Sequence, residues 1–221
     1  SDDSDDESGK GLNIPQYRIK LYGVNKNGNS ISATVNNFPP YFYVQIPDSW
    51  SKKYADMLFN KIKDLLKVKN YSHSIALQSY SFQKKKCLKG FTNNKLFKFI
   101  RLTFMNTYAK NACQNLFSDK DGKKKPIYIE AISKKALYFD LLETNIDPIL
   151  RFIHIRNIKP AGWICIPKGK YTINKPKTTR CQLDINCEWN CIEPYHLDDI
   201  APLIIAAFDI ECDSSHGDFP M

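Results

Sequence analysis

Residues 201–221 read APLIIAAFDIECDSSHGDFPM, and the rest of the chain is organised around them. The run from Leu203 to Phe208 is apolar and short, and it leads directly into Asp209-Ile210-Glu211, which predicts a buried strand. Side chains at i and i+2 of a strand point the same way, so Asp209 and Glu211 share a face while Ile210 enters the opposite layer. Two carboxylates on one face at a strand's end make a hard, anionic, all-oxygen site, suited to Mg²⁺ or Mn²⁺ rather than zinc. The spacing D-x-E taken alone also describes two solvated acids on an edge strand.

The chain has 221 residues, 43% of them hydrophobic, enough for one large domain or two small ones. No apolar run approaches the roughly 20 residues that span a bilayer. The amino terminus is acidic rather than basic and apolar, so it does not read as a secretory leader. Seven cysteines, an odd number, argue for free thiols in a reducing, intracellular compartment. The net charge is +9, yet residues 1–7 alone hold five acids; the remaining body sets 32 basic residues against 18 acids, +14. A body that basic predicts a polyanionic partner, above all nucleic acid, and a merely soluble basic surface is the plainer alternative.

Residues 1–12 are acidic and Ser/Gly-rich and read as a disordered tail. Tyr17–Val24 and Ser30–Phe38 alternate as strands around Asn27-Gly28, a hairpin signal, and Tyr41–Ile46 is a further strand. A helix follows with Trp50, Tyr54, Met57, Leu58, Ile62, Leu65 and Leu66 on one stripe and Ser49 as its N-cap. Ser74–Phe82 reads as a strand, with Lys84, Lys85 and Lys86 as a solvated turn after it. Phe97–Met105 is a strand, Thr107–Phe117 a helix and Ile127–Ile132 a strand.

The order over residues 41–132 is thus βαββαβ, the ferredoxin-like or RRM-like arrangement of RNA-recognition modules. Residues 95–102 carry part of the RNP1 pattern on the third strand. Phe97, Phe99 and Arg101 are therefore candidates for nucleic-acid contact, with Lys84–Lys86 beside them, against the plainer reading that Phe97 and Phe99 pack under a neighbouring segment. Asp147-Pro148 opens a helix whose apolar side chains are Ile149, Leu150, Phe152 and Ile153, and residues 162–167 and 183–191 read as strands. Cys181, Cys187 and Cys191 lack the paired spacing of a zinc site and read as ordinary thiols.

APL-xxxx-FDIEC-xxxxG-xFP resembles the first exonuclease motif of family B DNA polymerases, in particular the delta-like and large-DNA-virus branch. Residues 143–146, 150–152, 162–164 and 167–171 are similar to the segment that leads into the exonuclease domain in that family, and Phe38-Pro39-Pro40-Tyr41-Phe42-Tyr43-Val44 is a vaguer anchor further upstream. The resemblance implies that Asp209 and Glu211 are catalytic and hold two Mg²⁺ in a 3′–5′ proofreading site of RNase H-like fold. It implies a parent enzyme, a replicative DNA-directed DNA polymerase (a nucleotidyltransferase), that acts on primer-template DNA and dNTPs, at a nuclear or viral replication site. Its other partners would be the remainder of the polymerase chain and, as a candidate, a processivity factor, with no membrane.

The expectation is an α+β chain: residues 13–199 as an amino-terminal polymerase domain containing a β-hairpin and the 41–132 unit, and residues 200–221 as the first strand of the exonuclease domain. The later acids of the exonuclease and the palm aspartates of the polymerase site have no counterpart here. The piece by itself is expected to be inactive, with its metal site empty, and to serve as scaffold and template-strand contact. Two other readings are a stand-alone RRM-like nucleic-acid-binding module and an interaction domain for replication partners, neither with catalysis.

Overall fold

Every second side chain in residues 96–104 points into an apolar layer, and Ile100, Leu102 and Phe104 are fully enclosed. The computed structural model describes residues 13–87, 92–202 and 205–209. In chain order the elements are β1 (Ile19–Val24), β2 (Ser30–Asn36), β3 (Tyr41–Ile46), α1 (Lys52–Lys69), α2 (Tyr71–Ala76), β4 (Leu77–Lys86) and β5 (Leu96–Phe104). They continue with α3 (Thr107–Phe117), β6 (Leu141–Leu142), α4 (Pro148–Arg156), β7 (Ile164–Cys165), β8 (Tyr171–Ile173), β9 (Leu183–Glu188) and β10 (Glu193–Pro194).

The fold is mixed α+β with two four-stranded sheets. One is antiparallel throughout, in the order β4-β5-β3-β6. Its inner face carries Phe42, Val44, Ile100 and Leu102 into one core with Leu58, Ile62 and Leu66 of α1 and Ala109 and Cys113 of α3. Phe42 stacks on Phe104 with ring centroids 5.5 Å apart. The other sheet runs β1-β2-β9-β8, with β2 and β9 parallel and the outer pairs antiparallel. It closes a smaller core of Ile19, Val35, Phe38, Phe152, Cys187 and Ile192. Gly28, at φ +80°, turns the β1–β2 hairpin, and the Asn25 side chain accepts from the Asn27 and Asn29 amides.

Several boundaries differ from those read in the sequence. The N-cap of α1 is Ser51, not Ser49, and it makes no side-chain cap hydrogen bond. Residues 71–76 form the short helix α2, because Asn70 caps it through the Ser72 amide, so β4 starts at Leu77. Lys84, Lys85 and Lys86 are not a turn: they continue β4 and pair with Lys98, Phe97 and Leu96. Residues 127–132 are not a strand. Ile127 makes one isolated bridge to Leu137, and the amides of Ile132 and Ser133 turn back onto the Ile129 carbonyl. Ile127 and Ile129 are buried in the larger core, so their apolar spacing signalled burial without sheet pairing. The fourth strand position belongs to β6, whose Leu141 and Leu142 pair with Val44 and Tyr43.

In α4 the buried residues are Pro148, Arg151 and Phe152, whereas Ile149 and Leu150 stand 43% and 62% exposed. The six described cysteines are free thiols, and among the described residues no helix is long and apolar enough to cross a membrane.

The β8–β9 end is held by a carboxylate with no solvent contact. Asp184 accepts from Thr178 N at 2.6 Å, Thr178 Oγ1 at 2.9 Å, Thr179 N at 3.0 Å and Asn174 Nδ2 at 2.8 Å. Burial pushes its pKa up, but these donors more than offset that and hold it down at about 2. A pKa held below its unfolded value stabilises the fold above the ordinary range near about 3.9, and that stabilisation fades as the pH falls toward the folded value. Asp184→Asn aims an amide donor at backbone donors, and it should lower the urea midpoint at pH 7. The gap to wild type should narrow as the pH drops from 4 toward 2; a gap independent of pH would contradict this account.

Candidate functional site

Asp209 lies in the stretch 205–209, which is exposed and has no regular secondary structure. Ile205 and Phe208 are 87% and 88% exposed. The buried strand read from the sequence is therefore not formed at 205–209, and Leu203, Glu211 and the rest of that motif lie outside the described residues. The physical reason is pairing: an apolar run becomes a buried strand only with neighbours along both edges and a layer on each face, and no described strand pairs with 205–209. The donor chemistry of Asp209 suits a hard divalent cation. Among the described residues no group of three or more His, Cys, Asp or Glu is placed to hold a metal ion.

The candidate nucleic-acid residues fall on the antiparallel sheet, and the alternation of β5 divides them. Phe97, Phe99, Arg101 and Thr103 face away from the helices, together with Tyr41 and Tyr43 of β3 and Lys85 of β4. Phe99 is only 2% exposed, with its ring 6.3 Å from that of Tyr43, while Phe97 is half-buried beside Lys95. Phe99 thus offers no open ring face for a base. Lys85 sits 4.2 Å above the Tyr43 ring and donates to Tyr43 Oη at 2.6 Å. Lys84 and Lys86 are exposed on the edge strand β4.

Arg101 and Arg151 both lie over the Tyr41 ring, at 5.0 and 3.9 Å. Arg151 is 6% exposed and pairs with Glu143 Oε2 at 2.8 Å while donating to the Glu143 carbonyl at 3.0 Å. Next to it Lys110, also buried, donates to the Thr144 carbonyl at 2.6 Å. Burial lowers the Lys110 pKa, and the Arg151 charge lowers it further against the opposing pull of Asp147. Behind the sheet, burial and then Asp56, which accepts from Tyr80 Oη, push the Tyr80 phenol up to about 12. Burial likewise raises Cys187 to about 11, with the Cys191 and Glu188 charges adding to it, which leaves an unreactive thiol.

Sequence reasoning missed Arg151, Tyr41 and Lys110. The available signal was an arginine set among the apolar residues of 148–153, to which the sequence reading gave no role of its own.

The chain is similar to several known proteins. Residues 139–221 match the family described as DNA polymerase family B, exonuclease domain. A DNA polymerase of Pyramimonas orientalis virus is 35% identical over 98% of this chain and 17% of that protein. The DNA polymerase delta catalytic subunit of Dictyostelium discoideum is 28% identical over 93% of this chain and 19% of that protein. The chain thus spans less than a fifth of the length of these two relatives. A family B DNA polymerase from Pyrobaculum calidifontis aligns over 78% of this chain and 19% of its own, with a TM-score of 0.48 at 12% identity.

The burial of Phe99 sets an expected outcome. Phe99→Ala should cost about 3–5 kcal/mol of stability, the usual range for an enclosed Phe. Thermal melts and DNA titrations of Phe97→Ala/Phe99→Ala should show a large drop in Tm with little change in affinity. A loss of affinity matching about 1–3 kcal/mol per base at unchanged Tm would mean that these rings stack on bases.

Proposed function

We propose that this chain, which belongs to the family B DNA polymerases through residues 139–221, is the amino-terminal part of a replicative DNA-directed DNA polymerase with a 3′–5′ proofreading exonuclease. The observation that carries the reading is Phe208-Asp209-Ile210-Glu211-Cys212, which lies within the matched residues. Its parts are an amino-terminal domain over residues 13–199 and the opening strand of the exonuclease over 200–221. A ferredoxin-like unit within the first is supported by the antiparallel order β4-β5-β3-β6 with α1 and α3 against one face, its last strand being β6 rather than 127–132.

In the whole enzyme Asp209 and Glu211 hold divalent cations on one face of a strand that further polymerase sequence pairs and covers. Such cations, Mg²⁺ in the first instance, supply Lewis acidity toward a phosphodiester and lower the pKa of a coordinated water. The two carboxylates alone offer too few ligands to fix a pair of octahedral ions, so the remaining acids come from elsewhere in the enzyme. The partners are primer-template DNA, dNTPs, the rest of the polymerase and a processivity factor. The basic body, with Lys84, Lys85, Lys86 and Arg101, guides the template strand by charge.

The test is nucleotide release from a 3′-labelled single strand with Mg²⁺ or Mn²⁺. The isolated 221-residue chain should show none. In the full polymerase that carries this sequence, Asp209→Ala/Glu211→Ala should abolish release and leave primer extension intact. Metal-dependent release by the isolated chain that the double variant loses, or loss of extension in the full enzyme, would overturn the assignment.

A further inference from the structure

The face of the antiparallel sheet opposite Phe97 and Phe99 ends in an open cleft of about 330 Å³, between the start of α1 and the far ends of β4 and β5. Its lining includes Trp50, Ser51, Lys52, Phe82, Lys84 and Lys98. Three of these are lysines and none of the lining residues is acidic. Lys84 and Lys98 stand directly opposite each other in the β4–β5 register, a like-charge pairing that destabilises an antiparallel ladder.

Little in the described residues neutralises this charge. The side-chain ammonium groups of Lys52 and Lys84 form no ion pair or hydrogen bond with any described residue. The Lys98 ammonium donates to the Asp48 and Trp50 carbonyls, both at 2.7 Å, which leaves its third donor and its full charge. The one acid of that turn, Asp48, pairs with Lys95 at 3.8 Å. The Ser51 hydroxyl makes no cap hydrogen bond. Beside these donors Phe82 is 38% exposed.

Lysines on an edge strand commonly guard it against edge-to-edge pairing. That function asks for charge on the outward side. It explains neither a cross-strand lysine pair without a counter-charge on the helix side nor the partly exposed Phe82 ring next to it, which packs edge-to-face on Tyr80 at 5.9 Å.

We infer that this cleft binds single-stranded nucleic acid, with Lys52, Lys84 and Lys98 on successive phosphates and the Phe82 ring against a base. A single strand offers a π-face beside every phosphate, which matches cations interleaved with an aromatic ring. An acidic peptide would use the cations and leave the exposed part of the Phe82 ring uncovered. The inference rests on the nucleic-acid contact proposed above and moves it from the Phe97/Phe99 face to the helix side.

The test is anisotropy titration of a short labelled oligothymidine across a salt series with the 221-residue chain. The variants are Lys52→Glu/Lys84→Glu, Phe82→Ala and, as a control with the same charge change, Lys168→Glu/Lys170→Glu on an exposed turn of the other sheet. The cleft pair should weaken binding at least tenfold more than the control pair and flatten the slope of log K against log salt by about one to two. Phe82→Ala should weaken it roughly 5- to 150-fold, the equivalent of about 1–3 kcal/mol per stacked base. Equal losses in the cleft and control pairs would overturn the cleft while leaving the nucleic-acid contact standing. Competition by oligoglutamate as strong as by unlabelled oligothymidine would also overturn it, in favour of an acidic peptide. No binding at any salt would overturn both the cleft and the wider proposal.

Discussion

A guanidinium held out of water joins the two sheets. Arg151 projects from α4, which packs through Phe152 into the smaller core, yet its own head lies on Tyr41 of β3 in the larger sheet. An arginine that is 6% exposed is tolerable only if its charge and donors are met. Glu143 supplies both a carboxylate and a carbonyl, and the Tyr41 ring supplies a π-face. Removing one partner of a buried pair typically costs about 3–5 kcal/mol, and the value here is smaller because the Glu143 side chain is 41% exposed.

Other features follow from that clamp. Glu143 takes φ +61°, a conformation that costs energy outside glycine, and it does so immediately after β6, whose two residues pair with β3. The same turn offers the Thr144 carbonyl to Lys110 of α3, so helix, strand and turn converge on one short segment. Turning Arg151 inward turns Ile149 and Leu150 outward, which is why α4 shows aliphatic side chains to solvent. The residues that match the exonuclease family begin at 139, so the clamp lies where that segment meets the sheet preceding it.

Much of the architecture was legible because it rests on local patterns. The alternation of 97–105, the spacing within Thr107–Phe117 and the Asn27-Gly28 turn each correspond to an observed element, since side-chain periodicity and turn chemistry act over a few residues. What was not legible depended on contacts distant in sequence. Ile127 and Ile129 have the spacing of a strand but are buried without a pairing partner. Arg151 reads as a surface residue unless Tyr41 and Glu143 are known to meet it. The strand expected to carry Asp209 depends on neighbours that the described residues do not provide.

The central claim is that Arg151 couples the segment beginning at 139 to the sheet before it. Residue-resolved hydrogen exchange on Arg151→Leu tests this most directly, because leucine keeps an apolar body while removing the charge and its donors. The account predicts that amides of α4, β6 and the β2–β9 pair lose protection while those of β3 and β5, around Phe42 and Leu102, keep theirs. An unchanged exchange pattern, or a uniform loss across both sheets, would contradict it.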